Sequence, residues 1–367
     1  MKKIAIVAKT AGLEYDDRIR KESIALSKEN DVCIYVVFDD NRHESGITAY
    51  GIKYRSFSLR SRKIFPQSKF LIIKALEYYF VVKKYLKNAD FVWAHEEYSF
   101  LFPLLVKKNK CIWDLHEIPK FFNNFIMKKV FHFIEKRAYK IIHANEYRIK
   151  YLISEKTIQF KNKHTYLNNF PDRIFLESKC EDEKFLKFKK WLNESDYIYL
   201  QGLSYPQRNP INTIESVIRS RSKAIVVGNI DSKAYKYLKN KYPNFNKYIF
   251  ETGMVDQLNI TKYIDKSKFT IIIYDSSSPN NIFCEPNRLY QSLSLAKPAI
   301  VSQNPPMKSI IDRYDLGVVL KSYGEDREEL LDAIKNINKN YERYRSNLFK
   351  NKERFIWKDK SVNQIIL

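Results

Sequence analysis

Short apolar runs rich in β-branched residues alternate along this chain with longer segments whose apolar positions recur at helical spacing. The first series predicts strands over Ile4–Ala8, Val32–Val37, Phe91–Ala94, Cys111–Asp114 and Ile141–Asn145. A second series predicts strands over Tyr197–Leu200, Ala224–Val227, Tyr248–Phe250, Phe269–Tyr274 and Ala299–Val301. Between them, Asp17–Glu29, Phe70–Leu86, Phe122–Tyr139, Ile211–Arg219, Ser232–Lys241 and Asn287–Leu295 have the length and period of helices. Strands that are apolar throughout and separated by helices belong to parallel sheets covered on both faces. The pattern therefore predicts an α/β chain of Rossmann-like, doubly wound sheets.

The alternation pauses at Asn168-Asn169-Phe170-Pro171-Asp172, and a charged helical stretch, Glu181–Asn193, precedes the next strand. That pause predicts a first domain over 1–172 and a second over 173–345. The remainder, 346–367, continues a basic helical pattern that begins at Tyr341 and contains Trp357, and it is expected to cross back to the first domain. Two open sheets facing each other place their strand carboxyl ends around one cleft, where ligands of such sheets bind.

Composition narrows the class. An apolar fraction of 44% in 367 residues suits folded domains rather than disorder. Scarce glycine (8 residues) beside abundant Lys, Asn, Ile, Tyr and Phe reflects compositional bias and carries no mechanism. The run Ile4–Ala8 is too short for a signal-peptide core before Lys9 interrupts it, and Lys74 and Glu77 break Phe70–Val82, so no bilayer span is expected. Cys33, Cys111, Cys180 and Cys284 are far apart and match neither a disulfide frame nor a zinc site, which predicts reduced thiols in the cytoplasm.

The net charge of +23 asks for an anionic partner or a solvated surface. Residues 1–170 hold 32 Lys/Arg against 18 Asp/Glu, and the excess sits in 51–90 and 107–163, interleaved with Phe and Tyr. No zinc finger or RNP-like motif accompanies it, so no nucleic-acid partner is expected. An anionic membrane surface fits clustered Lys/Arg beside amphipathic helices better.

Asn287-Arg288-Leu289-Tyr290-Gln291-Ser292-Leu293, followed by Ala296-Lys297-Pro298-Ala299-Ile300-Val301-Ser302, carries the most specific signal. It resembles the donor-site signature of family-4-type GT-B glycosyltransferases, the enzymes of bacterial surface-polysaccharide synthesis. A helix opening at Pro286 or Asn287 offers free N–H groups and a positive dipole end to a diphosphate. Arg288 adds a planar cation with bidentate reach. Other pieces follow in the family's order. Gln201-Gly202-Leu203 resembles its strand-to-glycine turn, Arg208 its nearby basic residue, Val226-Val227-Gly228-Asn229 its next nucleotide-side loop, and Gly253-Met254-Val255 its G-x-V element. In the first half, Asp16-Asp17-Arg18-Ile19-Arg20-Lys21-Glu22 resembles a D-x-R-x-x-K/R-E helix opening, in which Asp16 or Asp17 also suits a plain N-cap. Asp114-Leu115-His116-Glu117 resembles the family's D-x-H-E element, with His95-Glu96-Glu97 in the same topological place one strand earlier.

The resemblance implies a GT-B fold and sugar transfer from a nucleotide-sugar donor to a glycan or lipid-linked acceptor, as in capsule or lipopolysaccharide synthesis. It implies donor binding by Gly202, Arg208, Gly228, Asn287, Arg288, Leu289 and Gln291, with His116, Glu285 and Asp16 as catalytic candidates. Negative charge developing on the leaving diphosphate needs cations and oriented N–H groups, which Arg208, Arg288 and the helix after Glu285 supply. No D-x-D pair ends a strand, Asp39-Asp40 being adjacent, so transfer without a metal and without a further cofactor is expected. Two departures stand out. The family's E-x(7)-E pair falls on Phe283 and Gln291, leaving Glu285 to supply a carboxylate and an amide to meet ribose hydroxyls. The first loop, Thr10–Tyr15, holds only Gly12. Retention is the family expectation; an inverting reaction would call on His116, Glu117 or Asp16 as base. The aromatic and basic stretches Phe121–Phe125 and Met127–Phe133 suit a lipid-linked acceptor at the inner membrane face. A nucleotide-sugar epimerase and a non-catalytic scaffold of the same shape are the alternatives.

Overall fold

The computed structural model describes residues 1–14, 16–65, 70–119, 124–178 and 182–366. Tyr15, Cys180, Glu181 and the segment Phe121-Phe122-Asn123 lie outside the described residues. The chain forms two compact units, residues 1–168 with 358–367, and residues 169–357.

The first unit is built on an eight-stranded sheet in the order β3-β4-β2-β1-β5-β6-β7-β8. Its strands are β1 (Lys3–Thr10), β2 (Asp31–Phe38), β3 (Ser45–Ile47), β4 (Lys53–Ser56), β5 (Phe91–His95), β6 (Cys111–Leu115), β7 (Lys140–His143) and β8 (His164–Tyr166). All neighbours pair in parallel except β3 with β4. Helices α1 (Asp17–Ser27), α2 (Arg60–Ile64), α3 (Leu71–Leu86), α4 (Phe102–Leu105), α5 (Phe125–Arg137) and α6 (Glu146–Ser154) connect them. The sheet is buried because β1, β5 and β6 present almost unbroken apolar side chains, Ile6, Val7, Trp93, Ala94, Ile112 and Trp113 among them.

The second unit carries a six-stranded sheet in the order β11-β10-β9-β12-β13-β14. Here β9 is Tyr197–Gln201, β10 Lys223–Val227, β11 Ile249–Gly253, β12 Phe269–Ile272, β13 Ala299–Val301 and β14 Gly317–Val319. The helices before the carboxyl-terminal arm are α7 (Arg173–Leu176), α8 (Glu183–Leu192), α9 (Pro210–Arg219), α10 (Ser232–Lys241), α11 (Phe245–Tyr248), α12 (Ile260–Asp265), α13 (Pro279–Ile282), α14 (Asn287–Ser294), α15 (Pro305–Tyr314) and α16 (Arg327–Lys339). The sheet switches direction between β9 and β12, the place where an open parallel sheet leaves room for a ligand beyond its strand ends. Core clusters on its faces gather Leu200, Ile214, Val226 and Ile300 in one, and Leu289, Leu293, Val301 and Met307 in another.

Three differences from the sequence expectation have physical causes. The pattern misses β3, β4, β8 and β14, because Ser45-Gly46-Ile47, Lys53-Tyr54-Arg55-Ser56 and His164-Thr165-Tyr166 sit at or beside sheet edges and carry no apolar run, while β14 is only three residues long. Two strands end early. Asn145 leaves β7 to cap α6, its Oδ1 accepting from Arg148 N at 2.9 Å, and beyond β12 the Tyr274 N–H donates to Ser302 Oγ at 3.0 Å. The basic tail is not one helix: α17 (Tyr341–Asn351) passes into a 3-10 turn, Lys352–Phe355, and a short α18 (Lys360–Asn363) follows. Within the first unit, α18 packs on α1, with Lys28 paired to Asp359 at 2.6 Å.

Candidate functional site

In the first unit, charged side chains converge where β5 and β6 end. Strand β6 delivers Asp114, fully buried, and the next turn delivers His116. Helix α1 supplies Arg18, whose Nε and Nη2 donate to the two Asp114 oxygens at 2.7 Å each. Arg18 also pairs with Glu22 one turn on, at 3.0 Å. His95 ends β5 with Nδ1 3.2 Å from His116 Nε2 and Nε2 3.5 Å from Glu22 Oε2. His116 donates through Nε2 to Asp114 Oδ2 at 3.0 Å and through Nδ1 to Glu96 Oε1 at 2.5 Å. Glu96 holds a left-handed backbone, φ 63°, at this turn, a conformation non-glycine residues adopt where the surroundings fix it.

These contacts set the charges. Burial disfavours the His116 imidazolium, but the Glu96 and Asp114 carboxylates outweigh it and hold its pKa well above the ordinary histidine value. Burial would raise Asp114, yet Arg18 and His116 keep it well below the usual carboxylate range. Glu22, buried and facing the Asp114 charge, is pushed up to about 7. His116 is therefore an imidazolium at neutral pH, a donor rather than a base. His95, Asp114 and His116 also bring three ligand-type atoms within 4.8 Å of one another, but Arg18 already occupies both Asp114 oxygens with its own cation.

In the second unit the corresponding strand ends build a cationic cradle. Gly202 follows β9 with φ 70°, and its N–H donates to Val227 O at 3.2 Å. A Cβ on Gly202 would stand 2.0 Å from Arg208 Nη1, so glycine is what admits that guanidinium, while Arg288 Nη1, at 3.9 Å, would be in ordinary contact. Arg208 Nη1 donates to Gly202 O at 2.5 Å, and Arg288 Nη1 donates to Gln201 O. Both guanidiniums lie over the Tyr274 ring, at 5.2 and 5.0 Å. Among the described residues neither arginine forms an ion pair with a carboxylate, and the buried Arg288 Nε has no hydrogen-bond acceptor. Burial, with the neighbouring Arg208 charge adding to it, pulls the Arg288 pKa below its ordinary value. An anion placed here would relieve both effects.

The same helix, α14, supplies the rest. Asn287 opens it, exposed, with Oδ1 accepting from Asn169 Nδ2 at 2.9 Å. Leu289 is buried in the core and holds the helix to the sheet. Gln291, one turn beyond Asn287, is buried with its Oε1 lacking a hydrogen-bond partner. Gly228 ends β10 with φ 94° and donates to Gly253 O at 2.9 Å.

No protein-family model matches the sequence, and no curated protein matches it. Solved structures do match the fold. A sucrose-phosphate synthase from Thermosynechococcus elongatus aligns over 100% of this chain and 97% of its own, with a TM-score of 0.72 at 12% identity. HepE from Anabaena, solved with UDP and glucose, aligns over 100% and 98%, with 0.70 at 13%. WaaG, a glycosyltransferase involved in lipopolysaccharide biosynthesis, aligns over 99% of both chains, with 0.68 at 12%. The chain has the GT-B fold.

Within this GT-B chain the residues singled out from sequence fall into two groups. Gly202, Arg208 and Arg288 meet in the second unit, with Asn287, Leu289 and Gln291 on the same helix as Arg288 and Gly228 at the end of the adjoining strand. Glu285 turns its Oε2 to the Tyr290 hydroxyl. In the first unit His116 lies in the charged cluster, while Asp16 caps α1, its Oδ1 accepting from Ile19 N at 3.1 Å. Glu117 is exposed. Sequence reasoning had no role for Arg18 or Glu22 and ranked His95 second. The spacing of Arg18 and Glu22 on one helix face was the available signal, but Asp114 lies 96 residues from Arg18.

Proposed function

We propose that this GT-B chain is a glycosyltransferase that moves a sugar from a nucleoside-diphosphate sugar onto a glycan or lipid-linked acceptor in bacterial surface-polysaccharide synthesis. One observation carries the reading. Two arginines with no carboxylate partner stand together at a glycine turn, on a unit whose α14 opens beside them with free N–H groups. That arrangement suits the diphosphate of a donor, and the unpaired Gln291 Oε1 suits a ribose hydroxyl. UDP is the first nucleotide to try, because HepE was solved with it. Capsule or lipopolysaccharide is the proposed context, WaaG acting in the latter.

Charge growing on the leaving diphosphate is met by Arg208, Arg288 and the α14 N–H groups, so the transfer needs no metal. His116, held as an imidazolium with its two N–H groups committed to Asp114 and Glu96, does not remove a proton from the acceptor. The anomeric configuration is retained, as the resemblance implies, and the Asp114 and Glu96 carboxylates are committed to Arg18, His95 and His116 rather than set to act as a base. The protein works in the cytoplasm on the inner face of the membrane, and no helix among the described residues is long and apolar enough to cross one.

The test is transfer itself. The purified chain is incubated in EDTA with radiolabelled UDP-, GDP- and dTDP-sugars and a bacterial lipid extract. Label entering the lipid fraction with release of nucleoside diphosphate supports the reading. Absence of transfer and of nucleotide binding sinks it, and restoration of activity only by Mg²⁺ sinks the metal-free part.

A further inference from the structure

Helix α3 and the turn after α4 enclose a cavity of about 520 Å³ on the first unit. Its walls are apolar, with Tyr79, Phe80, Leu86, Val92 and Val106 among them. Lys83, Lys84, Lys87, Lys107 and Lys110 also line it, and no carboxylate does. None of these lysines is ion-paired to a carboxylate among the described residues.

The cavity lies within a wider amphipathic face. On α3 the positions Ile73, Phe80, Lys84 and Lys87 recur at helical spacing and are all exposed, Phe80 at 63%. On α5 the exposed positions Phe125, Lys129, Phe133 and Lys136 repeat the pattern, with Lys129 Nζ 4.6 Å from the Phe125 ring centroid. Segment 103–106 joins the two helices. Tyr79 donates from its hydroxyl to Leu105 O at 2.8 Å, and Arg137 donates to Pro103 O and Val106 O at 3.3 and 2.8 Å.

We infer that this face is a docking surface for an anionic lipid bilayer, with the cavity receiving one phospholipid whose phosphate is met by the lysines at its rim. The inference deepens the membrane part of the proposed function and rests on it, and is independent of the transfer chemistry. Charge complementarity selects an anion, and the apolar positions select which kind. Exposed Ile72, Ile73 and Ile126 gain nothing from a solvated nucleic acid but lose water on entering the acyl boundary. Lysine stems lie along apolar walls while their ammonium groups reach a headgroup layer.

The experiment is co-sedimentation of the full chain with vesicles in 0.15 M salt. One set is phosphatidylcholine alone and the other contains 30% phosphatidylglycerol. Binding to the anionic vesicles and little to the neutral ones is expected. The variant Lys83→Glu/Lys87→Glu/Lys107→Glu is expected to bind on the order of 100-fold more weakly, from about fivefold per lysine. A control with the same charge change on the second unit, Lys187→Glu/Lys233→Glu/Lys236→Glu, is expected to bind within a few-fold of wild type. Circular dichroism and melting temperature of the same variants report that both units are folded, and nucleotide binding separates failure of this inference from failure of the donor site. Equal binding to both vesicle types, wild-type binding by the first triple variant, or equal loss in both variants overturns the docking surface. So does nucleic-acid capture by a chain that ignores anionic vesicles.

Discussion

Replacing Asp114 by Asn changes one atom and removes the charge that faces Arg18. The Arg18 side chain is 4% exposed and that of Asp114 is 0%, and the pair is joined by two hydrogen bonds of 2.7 Å. Removing one partner of such a pair leaves a buried charge unmatched, at a cost of about 3–5 kcal/mol. Here Glu22, 3.0 Å from Arg18 Nε, takes up part of the charge, which places the loss near the lower figure. Against a typical domain stability of about 5–15 kcal/mol this is a large fraction. In a domain of this size each kcal/mol moves the melting temperature by roughly 2–4 °C, so a fall of roughly 6–12 °C is expected. Scanning calorimetry at neutral pH measures it, with the fall confined to the transition of the first unit. The double variant Arg18→Met/Asp114→Asn should recover part of the loss, since it removes the unmatched guanidinium, leaves Glu22 to take up a proton and leaves His116 paired with Glu96. A shift of less than 2 °C for Asp114→Asn would refute the buried pair.

Three further outcomes follow from the same geometry. The His116 imidazole should remain doubly protonated at pH 7.5, seen as imidazolium nitrogen shifts by NMR, and Glu96→Gln should lower its titration midpoint; a neutral ring at pH 7 would contradict the network. Glu22 has a folded pKa raised to about 7 from an ordinary 4.5, so its contribution to stability is fully present below 4.5 and lost as pH rises through 7. Glu22→Gln should then raise the melting temperature at pH 8 relative to wild type more than it does at pH 5, and a pH-independent difference would count against the shift. Gly202→Ala strains a backbone at φ 70° and pushes Arg208 aside; it should cost roughly 1–2 kcal/mol of stability and weaken nucleotide binding by at least tenfold, read by urea denaturation and calorimetry. Unchanged affinity would remove Arg208 from the site.

The central strands were legible because they are buried on both faces and so carry unbroken apolar runs, as in Ile4–Ala8 and Ala224–Val227. The edge strand Ser45–Ile47 was not, being exposed throughout and carrying no apolar run. The second-unit cradle was legible through Asn287-Arg288, since its residues come from one helix opening and one glycine turn, features that local sequence specifies. The first-unit cluster was only half legible. Asp114 and His116 form a short motif, but Arg18, Glu22 and His95 reach them only through the register of β1, β5 and β6, which no local pattern encodes. Asp16 illustrates the limit from the other side: its pattern suited both a cap and an active site, and the structure shows it capping. Gln291 stands where the resemblance has a carboxylate, and the sequence could not show that its side chain is buried with Oε1 lacking a hydrogen-bond partner.

The most direct measurement is thermal stability of the full chain with UDP in EDTA, beside Arg288→Ala. A ligand that binds only the folded state stabilises it by about 2.7 kcal/mol at a hundredfold excess over Kd. The account predicts a metal-independent rise in melting temperature with UDP or another nucleoside diphosphate in wild type, and its loss in the folded variant. A wild type that ignores UDP, GDP, CDP, ADP and dTDP alike, or a variant that keeps the full shift, would contradict it.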